Sequence, residues 1–319
     1  MNKNLWEEGN RALAEGGFED KSGPEPGNSQ RLSREYMDSL WLEMRCIDSQ
    51  AADTRMNLFG ETFAGPVFIT ALSGLDKVCP DGMAETARGA LKAGVFMGMG
   101  IGEEEELLRI AGTGARIVKF VKPHEDKKFV LEKIASARKA GVFALGMDTD
   151  FFYGSRSKPR DFFPQPMGPK TLGDLKEFIK AAEVPFIVKG VLSEADAYKA
   201  AEAGAAGIVV SHHGGSALEY AVPPLLILPR IRRALGREFP ILVDGGFRTG
   251  ADVFKALALG ATAAGFGRAV MTGLVKEGAQ GVERVLKETI GELEWVMLHT
   301  NTPDLGSVDP SVIWGRQQS

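Results

Sequence analysis

Ser211-His212-His213-Gly214-Gly215 places an imidazole beside two glycines at the end of the apolar run Gly207–Val210. Val243-Asp244-Gly245-Gly246-Phe247-Arg248 places a carboxylate and a guanidinium around a glycine pair at the end of another such run. Imidazole titrates near neutral pH, so His213 is the candidate base. Side chains alternate along a strand, which turns His212 to the opposite face and gives it a structural role. Asp148 closes a further apolar run, as a second site carboxylate or as a helix cap or turn residue. Lys189 lies inside Phe186–Val191. A buried amine needs an anionic partner, unless the stem snorkels to water. Gly245-Gly246 and Gly265-Phe266-Gly267-Arg268 bring bare N–H groups and, with Arg248 and Arg268, two guanidinium forks to neighbouring strand ends. Such groups match phosphate oxygens, the alternative being plain turn glycines. His124 and His299 stand alone and receive no role.

These groups need a scaffold that gathers strand ends. From Pro66 onward, apolar runs predict strands at 67–73, 95–100, 117–121, 143–148, 186–191, 207–213, 241–247 and 263–267. Amphipathic segments between them predict helices at 83–93, 127–140, 172–182, 194–203 and 251–259, several ending at a glycine stop. Apolar strands alternating with helices form a parallel sheet covered by helices, and eight units favour closure. The expected fold is α/β, a TIM (β/α)8 barrel with an N-terminal extension. Residues 1–65 are that extension, packed on the barrel: a helical region, a Gly/Pro/Ser-rich loop at 23–29, another helix and a strand-rich stretch at 55–63. The barrel occupies 66–300, and the polar tail 301–319 is expected to wrap the surface. Residues 151–170 form the longest connection, rich in aromatic, basic and proline residues, and read as a lid.

Composition narrows the function. The chain has 319 residues, with 38 Lys+Arg against 42 Asp+Glu, for a formal net charge of −4. That lacks the basic excess of a nucleic-acid binder. No run approaches the ~20 apolar residues of a membrane span, and the first residues carry no apolar signal core, so a cytoplasmic protein is expected. Cys46 and Cys79 are too isolated for a disulfide framework or a metal site and are expected to be buried or half-buried thiols. No metal is expected.

Val188-Lys189-Gly190-Val191, Ser211–Leu218, Asp244–Arg268 and especially Gly250–Ala261 resemble the FMN-dependent α-hydroxy-acid oxidase and dehydrogenase family, which includes glycolate and lactate oxidases. The resemblance implies FMN, with His213 taking the substrate proton, Asp148 orienting it and Lys189 beside flavin N1 and O2. It implies cofactor contacts from Ala71, Leu72 and Ser73 along the isoalloxazine, from Ser211, and from Asp244, Gly245, Gly246, Phe247, Arg248, Gly267 and Arg268 on the ribityl phosphate. Lys119 falls where the family has a glutamine at the flavin edge, and Gly100 and Gly146 replace a serine and a threonine there. A homo-oligomer is implied as well.

The substrate end departs from that family. Its pattern after the histidine carries an arginine that clamps the substrate carboxylate; here the position is Ser216, which supplies no bidentate cation. The family's tyrosine falls at about Val121. Its second arginine falls near Ser155 or Arg156, and Arg156 is open between a substrate-binding role and a solvated lid residue. The expected reaction is oxidation of a hydroxyl, on a 2-hydroxy acid or related carbinol, to a carbonyl by hydride transfer to flavin N5. A small molecule is the substrate, and the electron acceptor is open. Two alternatives stand beside it. One is an FMN-dependent isomerase resembling type 2 isopentenyl-diphosphate isomerases, against which His213 and Lys189-Gly190-Val191 argue. The other is a flavin-binding protein without turnover.

Overall fold

Short runs such as Ile117-Val118-Lys119-Phe120-Val121 and Ile241-Leu242-Val243-Asp244 are rich in β-branched and other apolar residues, which suits buried parallel strands. In the computed structural model, which describes residues 3–18, 27–152 and 165–315, the chain opens with helices α1 (Lys3–Glu15) and α2 (Ser29–Asp38). Strand β1 (Leu40–Leu42) and the hairpin β2 (Met56–Leu58) and β3 (Glu61–Phe63) follow. The barrel strands are β4 (Val67–Leu72), β5 (Met97–Met99), β6 (Ile117–Val121), β7 (Ala144–Asp148), β8 (Phe186–Val191), β9 (Gly207–Val210), β10 (Ile241–Asp244) and β11 (Ala263–Phe266). Each pairs in parallel with its neighbours, and β10–β11 and β11–β4 contacts close the ring. All eight expected strands are present.

Around the barrel lie α3 (Gly82–Ala93), α4 (Glu104–Ala111), α5 (Lys127–Lys139), α6 (Leu172–Ala182), α7 (Glu194–Glu202), α8 (Pro224–Leu235), α9 (Gly250–Ala258) and α10 (Arg268–His299). The periodic pattern named five of these; α4, α8 and α10 are additions. In α4 the three glutamates of the first turn sit where the helix dipole favours negative charge, and Leu107 and Ile110 bury. Pro229 interrupts the pattern of α8. In α10, Gly278 at φ 58 bends the chain, so that its two legs pack through Gly273 and Gly281. A Cβ on Gly281 would lie 2.0 Å from the Gly273 oxygen, so only glycine permits that approach.

Two strands end earlier than their apolar runs suggest. β9 stops at Val210 and β10 at Asp244, because His213 (φ 55), Gly245 (φ 117) and Gly246 (φ 89) turn the backbone out of the ladder. The tail also differs from expectation. Val312 is fully buried, and β12 (Ile313–Gly315) pairs antiparallel with β1, so the described part is built into the fold. Cys79 is half-buried, but Cys46 is exposed, because it lies beyond β1 on the outside of the extension.

Alternation sorts the barrel interior into layers. At the bottom, Phe68, Phe96, Val118, Ile187, Val209 and Leu242 meet Met56, Leu58 and Phe63 of the β2–β3 hairpin. Phe68 stacks on Phe96 at 5.0 Å and Phe63 meets Phe96 edge-on at 5.2 Å, so the hairpin plugs this end with aromatic contacts. Above the plug the inward positions include the buried charged residues Asp148, Lys189 and Asp244.

The extension binds the other end. Ser29, Ser33 and Met37, four residues apart along α2, bury one helix face. Ser29 Oγ donates to Leu218 O at 2.8 Å and accepts from Ala221 N at 3.0 Å. Arg34 forks onto Asp252 at 2.9 and 3.0 Å, tying α2 to the first turn of α9.

Candidate active site

Two steps above the plug, inward alternation places Lys189 on β8 and Asp148 on β7, with Lys122 just beyond β6. Asp148 has no exposed surface. Its Oδ2 lies 2.5 Å from Lys122 Nζ and its Oδ1 lies 3.1 Å from Lys189 Nζ. Lys122 is 8% and Lys189 2% exposed, so neither amine snorkels to solvent. Burial alone would raise the Asp148 carboxyl; the charges of Lys122, then Lys189, then His213 overcome it and hold it well below the usual carboxylate range. Burial likewise works against the Lys189 ammonium, and Asp148, Asp244 and Asp150 outweigh it, leaving this lysine above its ordinary value.

His213 stands at the mouth of this cluster with its side chain 22% exposed. Its Nδ1 lies 3.8 Å from Asp148 Oδ1, 3.2 Å from Asp150 Oδ1 and 3.3 Å from Lys189 Nζ. The nearest carboxylate is therefore Asp150, whereas the sequence pointed to Asp148. The Phe151 ring stacks on the imidazole at 4.8 Å and 24°, and Lys122 Nζ sits 4.3 Å from the centre of the same ring.

A left-handed turn presents the imidazole. His213 at φ 55 and Gly214 at φ 63 are successive left-handed residues, a conformation that costs a non-glycine residue energy. The His213 N–H donates to Ser211 Oγ at 3.0 Å and Ser216 Oγ donates to His213 O at 2.7 Å, which fixes the turn. Ser211 and Ser216 thus act on the backbone of His213. His212 is structural: Gly215 N donates to its Nδ1 at 3.0 Å, which leaves the ring proton on Nε2, 2.6 Å from Ser33 Oγ.

The cluster opens into a cavity of about 250 Å³ at the C-terminal ends of the strands. Ala71, Leu72, Lys189, Asp244, Gly245, Gly246, Phe247, Arg248, Gly267 and Arg268 line it, together with His213. Three further cofactor candidates do not. Ser73 is exposed beyond β4, and Ser211 is buried beneath the His213 turn. Lys119 leaves by the outer face of β6: Val118 and Phe120 fill the barrel, while Ile117 and Val121 pack toward the helices. Its amine donates to the carbonyls of Gly100 and Gly102, and burial lowers its pKa to about 8. The same alternation points Lys122 inward and Val121 outward. A one-residue slip exchanges the two faces of a strand, which is why a linear match marks Lys119 and Val121 and misses Lys122.

The cavity suits a ribityl phosphate. At Gly246 an added Cβ would meet nothing within 4 Å, leaving an open backbone cradle. The α10 N-terminus, whose cap Gly267 supplies no side-chain bond, points its free N–H groups at the same end. Asp244 accepts from Thr70 at 2.5 Å with one oxygen, while its other, buried oxygen has no hydrogen-bond partner among the described residues and awaits a donor such as a sugar hydroxyl. The extension supplies walls that no sequence motif marked: Trp6 lies 4.5 Å from the Arg248 guanidinium, and Arg268 donates to Asn10 Oδ1 at 2.6 Å and to Phe18 O at 2.7 Å. Arg34 and Gln30 of α2 complete that side. Arg156, and the lid expected around it, lie largely outside the described residues.

One oxygen each of Asp148 and Asp150 and a nitrogen of His213 lie within 4.8 Å of one another, a spacing that could hold a cation. Two ammonium groups already occupy the Asp148 oxygens, and a divalent ion would have to displace them.

Gly190 makes room for this arrangement. It sits at φ 89, and a Cβ there would lie 2.4 Å from both Cγ and Oδ1 of Asp150. Gly190→Ala should therefore drive Asp150 off His213 and destabilise the fold by roughly 1–3 kcal/mol from overpacking. Urea unfolding and a crystal structure of the variant would check this; an unmoved Asp150 with unchanged stability would contradict it.

A closed parallel barrel with a phosphate cradle at its last two strand ends and a buried acid–base cluster above its core belongs to the phosphate-cofactor enzymes of this fold. The model of the FMN-dependent dehydrogenase family matches residues 21–172 and 165–315, and the chain belongs to that family. It is an FMN-dependent oxidoreductase. Glycolate oxidase 1 of Oryza sativa subsp. indica is 30% identical over 330 aligned positions, covering 92% of this chain and 89% of the relative. An L-lactate oxidase of Roseobacter sp. (strain GAI101) is 42% identical over 145 residues, a match spanning 46% of this chain and 39% of that protein. A crystal structure of mandelate oxidase superimposes with a TM-score of 0.89 at 28% identity, covering 98% of this chain and 97% of the other.

Proposed function

We propose that this protein oxidises the hydroxyl of a 2-hydroxy acid or a related carbinol to a carbonyl, with His213 as the proton acceptor. The observation that carries this is the His213 imidazole at the cavity mouth, its Nδ1 edge turned to Asp150 and Asp148 and its Nε2 edge left to meet a substrate. Bound FMN supplies the two-electron acceptor. Asp244, Gly245, Gly246, Phe247, Arg248, Gly267 and Arg268 would hold its ribityl phosphate, Ala71 and Leu72 would lie along its ring, and Lys189 would place a positive charge beside it. His213 Nε2 would take the hydroxyl proton, and the carboxylates behind Nδ1 would stabilise the imidazolium. The relatives named as glycolate, lactate and mandelate oxidases support the substrate class.

A substrate carboxylate would be held differently here from the pattern the family resemblance implies. Ser216 is spent on the His213 turn, and the inward cation at the end of β6 is Lys122. No helix among the described residues is long and apolar enough to cross a membrane. A cytoplasmic homo-oligomer is the form we propose; Trp41 and Trp314, paired across β1 and β12 and about half exposed, offer apolar surface to a second copy.

The test is anaerobic mixing of the FMN-loaded protein with a panel of 2-hydroxy acids. Bleaching of the oxidised flavin absorbance by at least one member is expected. Isomerisation of an allylic diphosphate without net redox, or no response to any carbinol, would overturn the proposal.

A further inference from the structure

We propose that Asp150, rather than Asp148, orients the His213 imidazole, because Lys122 draws Asp148 away into an ion pair. The inference rests on His213 being the proton acceptor, and it concerns how that acceptor is held.

Two carboxylates face one nitrogen, and their other partners decide between them. Asp148 Oδ2 accepts a hydrogen bond from Lys122 at 2.5 Å, and its Oδ1 lies 3.1 Å from Lys189 Nζ as an ion pair without a hydrogen bond, so both oxygens sit against ammonium charge. Its distance of 3.8 Å to Nδ1 is beyond hydrogen-bond range. Asp150 Oδ1 is 3.2 Å from Nδ1 and has no lysine within ion-pair distance among the described residues. Asp150 Oδ2 and Asp148 Oδ1 are both buried without a hydrogen-bond partner among those residues, so distance decides between the two carboxylates: only Asp150 Oδ1 is within hydrogen-bond range of Nδ1. Burial disfavours the Asp150 anion; the His213 hydrogen bond together with the charges of Lys189 and His213 offsets that and leaves the carboxylate below its ordinary range.

The choice of carboxylate sets the tautomer. With Nδ1–H donated to Asp150, Nε2 keeps its lone pair toward the cavity and can accept a proton. Without Asp150, the nearest group to Nδ1 is the Lys189 ammonium at 3.3 Å, itself a donor. Nδ1 would then become the acceptor, the ring proton would move to Nε2, and the base would face the substrate in the wrong form. Asp150 is thus a positioning residue, and Lys122 acts one step further back by holding Asp148. The charged groups around His213 are Asp148 and Asp150 from β7 and its extension and Lys189 from β8, backed by Lys122 from β6 and Asp244 from β10; the Phe151 ring covers one face.

The test is nitrogen-15 NMR of histidine-labelled protein. The chain has four histidines, and His213→Gln assigns the signal. The native protein should show the Nδ1–H tautomer at His213. Asp150→Ala should convert it to Nε2–H and lower kcat roughly 10²- to 10⁴-fold, as misplaced tautomers do in histidine dyads, with KM changed far less. Asp148→Asn should keep Nδ1–H. In the Lys122→Met/Asp150→Ala double variant, Asp148 is released to reach Nδ1, and the Nδ1–H tautomer should return. If Asp150→Ala does not fold, Asp150→Asn serves, read by the same change of tautomer and the same fall in kcat. An unchanged tautomer in Asp150→Ala, or its loss in Asp148→Asn, would overturn the assignment; an Nε2–H double variant would overturn the part given to Lys122. The tautomer is read without turnover, so a protein that oxidised no 2-hydroxy acid would sink the proposed function and leave this result standing.

Discussion

Replacing His213 with glutamine should slow flavin reduction by a 2-hydroxy acid roughly 10²- to 10⁴-fold, the usual worth of a positioned general base. Glutamine keeps a polar side chain of similar reach but cannot take a proton at neutral pH. The FMN content should stay unchanged, because the groups proposed to hold the phosphate lie beyond β10 and β11 and along α1 and α2. The position is demanding, since residue 213 has φ 55, held by the Ser211 and Ser216 contacts. Rapid-mixing absorbance with one equivalent of bound FMN separates loss of chemistry from loss of cofactor. A variant that retained FMN and reduced it within threefold of the native rate would remove His213 from the mechanism.

The second large effect is on stability. Asp148→Ala should cost about 3–5 kcal/mol, because two buried ammonium groups lose their shared carboxylate. Lys122 loses its ion-pair partner at 2.5 Å, and Lys189 is left with Asp244 and Asp150, each of which supports it less than Asp148 does. The pH dependence gives an independent check. Asp148 lies below its unfolded value of about 3.9, so its contribution is complete above that pH and fades as pH falls through the depressed folded value. Lys189 lies above its unfolded value of about 10.4, so its contribution is complete below that pH and fades as pH rises through the folded value. Between about 4 and 10 these two groups leave native stability level. In Asp148→Ala the dominant anion beside Lys189 is gone, and burial then favours its neutral form. The unfolded chain would bind more protons than the folded one, and stability should rise with pH on the alkaline side. Urea unfolding from pH 6 to 10 would show it; a variant as stable as the native protein, with a level alkaline arm, would contradict the ion cluster.

Much of this was legible in the chain itself. Ile117–Val121 and Phe186–Val191 declared buried strands through continuous apolar character, and glycine stops separated them from helices, because burial on both faces requires such runs. The proposed phosphate end was legible for the same local reason: the glycines of Asp244-Gly245-Gly246 and Gly267-Arg268 sit at strand ends and bare their own backbone there. Lys189 was legible because an amine inside an apolar run demands a partner.

The partner itself was decided elsewhere. Lys122, Asp148, Asp150 and His213 come from three different strand ends, and which carboxylate meets which cation depends on side-chain direction and on space. A one-residue slip along β6 separates Lys122, which enters the site, from Lys119, which does not. Asp150 reaches His213 only because Gly190, on the neighbouring strand, has no side chain. Trp6 and Arg34 reach the cavity, and Asn10 holds Arg268 at its wall, because α1 and α2 fold back over strand ends more than two hundred residues away in sequence, which no local pattern encodes. By itself the sequence determined the barrel and its kinship to FMN enzymes, and it marked the proposed cofactor cradle and the proposed base, all through short-range pattern. The tertiary structure alone decided how the base is held, because a buried charge takes the nearest complementary group in space.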